Sequence, residues 1–156
     1  MNKFYCDAHN SLPVKYSMNN STTIFVTYCS AKKNHQSDLM PAVERYQSKR
    51  IRQIYSAARS LNIDCYILSG KYGIIGSCDL IPDYDYMLVH ADLSECSQKI
   101  EKQLKTFKIE QIIFFMRPLS EDENVKPYME LIKLTCKKND ISLTIVNLTE
   151  QLLQYD

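Results

Sequence analysis

Apolar residues along the chain fall into short dense runs, separated by longer stretches in which they recur at helical spacing. "TTIFVTYCS" (22–30), "DCYILS" (64–69), "EQIIFFM" (110–116) and "SLTIVNL" (142–148) are rich in β-branched and aromatic residues and predict strands. The third holds four consecutive large apolar residues, the pattern of a strand covered on both faces. Between these runs the period changes. In "KRIRQIYSAARSLN" (49–62), Ile51, Ile54, Tyr55, Ala58 and Leu61 share one helical face and the arginines fall largely on the other. Ser48 stands where a helix cap belongs. "LSECSQKIEKQLKTF" (93–107) predicts a second amphipathic helix, capped by Asp92 or Ser94, and a third is expected near 124–139. Residues 1–21 are polar and aperiodic and read as an N-terminal arm, and the tail after 148 is expected to add a helical turn.

The resulting order, strand and helix in alternation, predicts an α/β class. The expectation is one Rossmann-like domain over residues 22–156, with a mostly parallel sheet of four strands or slightly more and helices on both faces. Crossovers should be right-handed. In open sheets of this kind ligands bind outside the carboxyl ends of the strands. Those ends read "CSAKK", "SGKYG", "MRP" and "NLTEQ", and the search for chemistry begins there.

Composition narrows the class. No apolar run approaches the roughly 20 residues that cross a bilayer, and the first residues lack the apolar core of a signal peptide, so a cytoplasmic protein with no membrane partner is expected. The six cysteines show no CxxC and no ligand spacing with the three histidines. They read as reduced thiols, with no metal site. Neither GxxxxGK[ST] nor GxGxxG occurs, and no cofactor is expected. Net charge is +1, but its distribution is uneven. Residues 31–60 hold seven Lys or Arg against Asp38 and Glu44, and residues 77–95 hold five acids with no Lys or Arg. Either these are two solvated faces, or they form a cleft with cations on one side and carboxylates on the other.

All three glycines of the chain lie in "SGKYGIIG" (69–76), between those two segments. Gly70 and Gly73 at a strand end permit positive φ and close backbone approach to a ligand. Ser69 and the turn amides could cradle an anion, Lys71 could add a charge, and Tyr72 could offer its ring to a base or sugar. The alternative is a tight turn with Tyr72 in the core. After strand 1, Ser30 and the following amides are placed to grip a phosphate or sugar hydroxyl, with Lys32 and Lys33 as partners, and Cys29 reads as a lining residue rather than a nucleophile. In "DLIPDYDYML" (79–88), a carboxylate beside aromatic rings can serve as acid or base, or stabilise an oxocarbenium-like transition state. Asp85, with Tyr84 beside it, is the candidate.

"LSGKYGIIGSCDLIPDYDYML" resembles the central motif of the YaaA family of peroxide-stress proteins, and "CSAKK" (29–33) resembles the motif that ends that family's first strand. The chain is more similar still to a short bacterial and phage family marked by Cys-Ser-x-x-Lys after strand 1, a Pro-Ala, a Tyr-x-Ser before the helix, and Ser-Ala-Lys-Tyr-Gly after strand 2. The matching positions are Cys29, Ser30 and Lys33, then Pro41 and Ala42, Tyr46 and Ser48, and Ser69, Gly70, Lys71, Tyr72 and Gly73. Gly70 stands where that family usually has Ala. The resemblance covers about residues 22–90. It does not include the helix-hairpin-helix with which YaaA proteins hold DNA. A looser similarity of the Cys-Ser-x-x-Lys strand end to base-modifying tRNA enzymes, such as archaeosine synthases, points toward nucleobase chemistry.

The combined expectation is an enzyme directed at a nucleotide, nucleoside or nucleic acid, breaking or exchanging an N-glycosidic bond. Asp85 and Lys71 would be catalytic. Cys29, Ser30, Lys33, Ser48, Ser69, Gly70, Tyr72, Gly73 and Tyr84 would bind ligand, with Arg50 and Arg52 at the rim. The competing expectations are a non-catalytic nucleic-acid binder using the basic helix over 45–59, and a small-molecule nucleotide sensor.

Overall fold

The computed structural model describes residues 22–149 and Leu152; the expected N-terminal arm at 1–21 and most of the tail lie outside the described residues. A five-stranded sheet organises them. Its strands are β1 (Thr23–Tyr28), β3 (Asp64–Ser69), β4 (Gly73–Gly76), β6 (Gln111–Met116) and β7 (Ser142–Asn147), in the spatial order β4-β3-β1-β6-β7. The pairs β3–β1, β1–β6 and β6–β7 are parallel and β3–β4 is antiparallel. The architecture is thus mixed α/β with a mostly parallel sheet. A two-residue ribbon, β2 (Met40–Pro41) against β5 (Leu80–Ile81), ties the basic loop after β1 to the acidic loop after β4.

Helices α1 (Ala42–Arg45), α2 (Lys49–Leu61), α3 (Leu93–Leu104) and α4 (Lys126–Lys138) fill the connections, with short 3-10 turns at His90–Asp92 and Glu123–Val125. Ser48 caps α2 by accepting a hydrogen bond from the Ile51 amide, and Asn62 ends the helix in the left-handed region at φ 55°. Side chains alternate across the strands, so the two helical layers divide the sheet residues between them. Ile54 and Ala58 of α2 pack with Phe25, Cys65, Ile113 and Phe115. The alternate residues Ile24, Val26, Ile112 and Phe114 join the main core with Ile100 and Leu104 of α3 and Leu131 and Ile132 of α4. The strand at 110–116, expected to be covered on both faces, is buried at Ile112, Phe114 and Met116 but only half-buried at Ile113 and Phe115. Among the described residues one helix, α2, covers that side of the sheet, and its nearest strands are β1 and β3.

The glycine segment makes a β-hairpin. The Ser69 hydroxyl accepts from the amides of Lys71 (3.2 Å) and Tyr72 (3.1 Å), Gly73 turns the chain at φ +78°, and β4 returns antiparallel along β3. Only glycine adopts that φ freely. At Gly70 the constraint is space: a Cβ there would come 2.8 Å from the Cβ of Leu88. The outward amide of Ile74 donates to Gln103 Oε1 (2.9 Å), and that of Gly76 to the Asp79 carboxylate (2.8 Å). Gln103 Nε2 also donates to the Tyr72 carbonyl (2.9 Å).

Cys29, Cys65, Cys96 and Cys136 are free thiols. Cys78 is disulfide-bonded, a departure from the expectation of six reduced thiols.

Candidate functional site: a cationic cavity at the switch point

From β1 the chain crosses to β3 on one side, and from β4 it returns past β1 to β6 on the other. The strand order therefore reverses between β1 and β6, where loops diverge and leave a crevice beyond the carboxyl ends. A cavity of about 540 Å³ opens there. The end of β1 supplies Tyr28, Cys29, Ser30, Ala31 and Lys33, and the start of α2 supplies Gln47, Ser48, Lys49 and Arg50. The acidic loop supplies Asp85, Tyr86 and Met87, and the region after β6 supplies Arg117, Asp122, Asn124 and Tyr128.

Several of these groups are held from behind. The Arg50 guanidinium donates from Nη1 to the Thr27 hydroxyl and the Tyr28 carbonyl (2.8 Å), and lies 3.5 Å from the centre of the Tyr28 ring. Burial lowers its pKa, opposed chiefly by the phenol of Tyr28. Lys33 is fixed by a backbone bridge to Tyr46, and its ammonium sits 4.6 Å above the ring of Tyr84. The Tyr84 hydroxyl bonds to those of Tyr46 and Ser69. Burial, with a further contribution from Cys29, pushes the Tyr84 phenol up to about 12. Cys29 Sγ lies 3.3 Å from the Tyr128 hydroxyl, within this interior cluster of phenols.

The charge segments resolve unevenly. Arg45 is fully buried, and its guanidinium binds the carbonyls of Asn34 (2.6 Å), Gln36 (2.8 Å), Asp38 (2.6 Å) and Ile81 (3.2 Å). It pins the loop that carries Lys33. Arg45, Arg50 and Lys33 therefore do not belong to a solvated basic face. On the acidic side, Asp79 holds the Gly76 amide, Asp83 pairs with His35 (3.0 Å), and Asp92 accepts from the Tyr86 hydroxyl. Asp85 alone of the three aspartates in "DLIPDYD" lines the cavity.

Of the residues singled out from sequence, Cys29, Ser30, Lys33, Ser48, Arg50 and Asp85 come together in the cavity. Ser69, Tyr72, Gly73 and Tyr84 form the hairpin and the phenol cluster behind it. Gly70 and Lys71 border a smaller adjoining pocket of about 290 Å³, which shares Asp85 and Tyr86 with the cavity. The Lys71 ammonium lies 5.3 Å from the ring centre of Tyr72 and 5.4 Å from that of Tyr84. Arg52 is half-buried on α2 and does not line the cavity. Sequence reasoning passed over Tyr28, Lys49, Asp122 and Tyr128 as site residues, and reached Tyr86 only as one of the aromatic rings beside Asp85. The strand-end rule pointed to "MRP" and so to Arg117, whereas nothing local marks Tyr128, which reaches Cys29 across a separation of 99 residues.

Among the described residues no group of three or more His, Cys, Asp or Glu is placed to hold a metal ion, and no helix is long and apolar enough to cross a membrane. Comparisons with protein-family models, with curated proteins and with solved structures return no match for this chain.

Proposed function

We propose that the switch-point cavity takes a nucleotide or nucleoside, free or within a nucleic acid, and that the protein acts on its base–sugar bond. The observation that carries this reading is the placement of Asp85 in one cavity with Lys33, Lys49, Arg50 and the rings of Tyr28, Tyr86 and Tyr128. A volume of about 540 Å³ is that of a small-molecule site. Cations bind the phosphate or sugar end of such a ligand, phenol rings stack on its base, and a carboxylate stabilises positive charge developing on the sugar during glycosidic cleavage. Lys71 adds a positive charge from the adjoining pocket at the same Asp85 wall. A cytoplasmic setting and a relationship to the YaaA proteins belong to this proposal and rest on the sequence.

The test is mass spectrometry of the purified protein incubated with nucleosides, nucleotides, single- and double-stranded DNA and tRNA. Released or exchanged base that disappears in Asp85→Asn and falls in Lys71→Ala is the expected result. Absence of any base release or exchange across the panel refutes the reading.

A further inference from the structure

Two cations that line the cavity are more than nine-tenths buried: Lys33 is 7% exposed and Arg50 is 5% exposed. Among the described residues neither has a carboxylate within ion-pairing distance. Arg50 is bonded to neutral oxygens of Thr27, Tyr28 and Cys29, and the Lys33 ammonium lies over the face of the Tyr84 ring. Asp122, on the same cavity wall, bears on Arg50 from beyond bonding distance. Its own oxygens face the Tyr28 hydroxyl (3.4 Å) and the Asn124 amide (3.1 Å). Two buried charges without a counter-charge are costly to a fold unless a ligand completes them.

The backbone beside them has the matching polarity. α2 is a helix of 13 residues whose first turn lies in the cavity wall, and that turn holds Lys49 and Arg50 and no acid. First-turn amides of any α-helix lack partners within the helix, and the macrodipole makes that end positive. The Ser48 side chain takes the Ile51 amide, which leaves the earlier amides for a ligand. On the far wall, Arg117 Nε is buried without a partner among the described residues.

We propose that Lys33, Arg50 and the first-turn amides of α2 form a subsite for a phosphomonoester, so that the cavity's ligand is a free nucleoside 5′-phosphate. This rests on the reading of the cavity as the ligand site and specifies the charged group that anchors the ligand there. A dianionic phosphate satisfies both buried cations and the helix end at once. The sugar and base then extend along the cavity toward Asp85 and Tyr86.

The test is thermal melting and calorimetric titration of the full chain at constant ionic strength, with inorganic phosphate, a nucleoside 5′-monophosphate, the matching nucleoside and a 5′-phosphorylated DNA oligonucleotide. Phosphate and the mononucleotide should raise the melting temperature of the wild type and of Lys32→Met, an exposed neighbour. In Lys33→Met their affinity should fall at least about tenfold, on the scale of removing one partner of a buried charge pair. Lys49→Ala, at an exposed position, should bind them several-fold more weakly and supplies the comparison if Lys33→Met does not fold. Wild-type protein indifferent to phosphate and mononucleotide, undiminished affinity in these variants, or a nucleoside bound as tightly as its 5′-phosphate overturns the subsite. An oligonucleotide preferred to the mononucleotide overturns the choice of a free nucleotide. Phosphate bound through Lys33 without turnover of any nucleotide upholds the subsite and removes the enzymatic reading. Base released equally well from nucleosides and their 5′-phosphates does the reverse.

Discussion

The hydroxyls of Tyr46 and Tyr84 share one hydrogen bond in the interior, with their rings edge to face at a centroid distance of 6.3 Å. Tyr46 comes from the turn after α1 and Tyr84 from the acidic loop, so this bond joins two walls behind the cavity. Burial holds the Tyr46 phenol far above its ordinary value and Tyr84 at about 12, so both stay neutral across the working pH range. Tyr84→Phe leaves the Tyr46 hydroxyl and the Ser69 hydroxyl each short of a partner. The expected loss is about 1–3 kcal/mol in urea unfolding. Adding Tyr46→Phe should cost less than the sum of the single changes, because the second removes a group already stranded. Strict additivity would show that the two hydroxyls do not depend on each other.

Gly73 carries two separate constraints that a mutant cycle can divide. Gly73→Ala must place an L-residue at φ +78°, at about 1–2 kcal/mol, and must also push its Cβ against Gln103 Oε1. In a Gln103→Ala background the severest clash is gone and the contact with Ile100 Cγ1 at 3.3 Å remains, so Gly73→Ala should cost less there than in the wild type. Equal costs in both backgrounds, measured by denaturant unfolding, would show that the contact with Gln103 adds nothing to the effect.

Arg45 should tolerate neither Met nor Lys. Its planar guanidinium reaches four carbonyls, and an ammonium cannot reproduce that fork. Arg45→Met is expected to lose about 2–4 kcal/mol, with Arg45→Lys recovering a minor part. Amide exchange should quicken most over residues 34–41. A loss below about 0.5 kcal/mol would mean that the loop holds its shape without the arginine.

Asp83 predicts an acid-side effect. Its hydrogen bond from His35 holds the carboxyl below the ordinary aspartate value of about 3.9. A folded pKa depressed in this way means that the folded state favours the ionised form. The contribution to stability is present above the unfolded value and is lost as pH falls through the folded midpoint. Because the pair is exposed, the contribution is small and best read as a titration. In carbon-detected NMR, His35→Ala should move the Asp83 midpoint up, and an unmoved midpoint would mean that His35 is not the cause.

The four parallel strands and three long helices were legible because each buries a dense run or a face of regular period, and Ser48 was legible as a cap because its chemistry is local. β4 was not. "GIIG" has two apolar residues and follows directly on a turn, so its signal merges with the turn that makes it. The two-residue ribbon of Met40–Pro41 with Leu80–Ile81 is too short to have a period. At the site, the strand-end rule brought out Cys29, Ser30 and Lys33, and the Tyr-x-Ser position of the resembled family brought out Ser48. The glycine turn attracted attention for the right physical reason, positive φ at Gly73, but that freedom serves the hairpin. The inward turn of Arg45 and Arg50 left no trace in the sequence, because a cation on a helix reads as polar surface whatever lies opposite it.

The hydrogen bonds from Ile74 to Gln103 and from Gly76 to Asp79 occupy the outward amides of the outermost strand on that side. A second molecule cannot continue the sheet there until both side chains let go. Gln103 belongs to α3 and Asp79 to the loop after β4, so this end of the sheet is capped by side chains from two other parts of the fold, and crowded copies meet an edge whose donors are already taken.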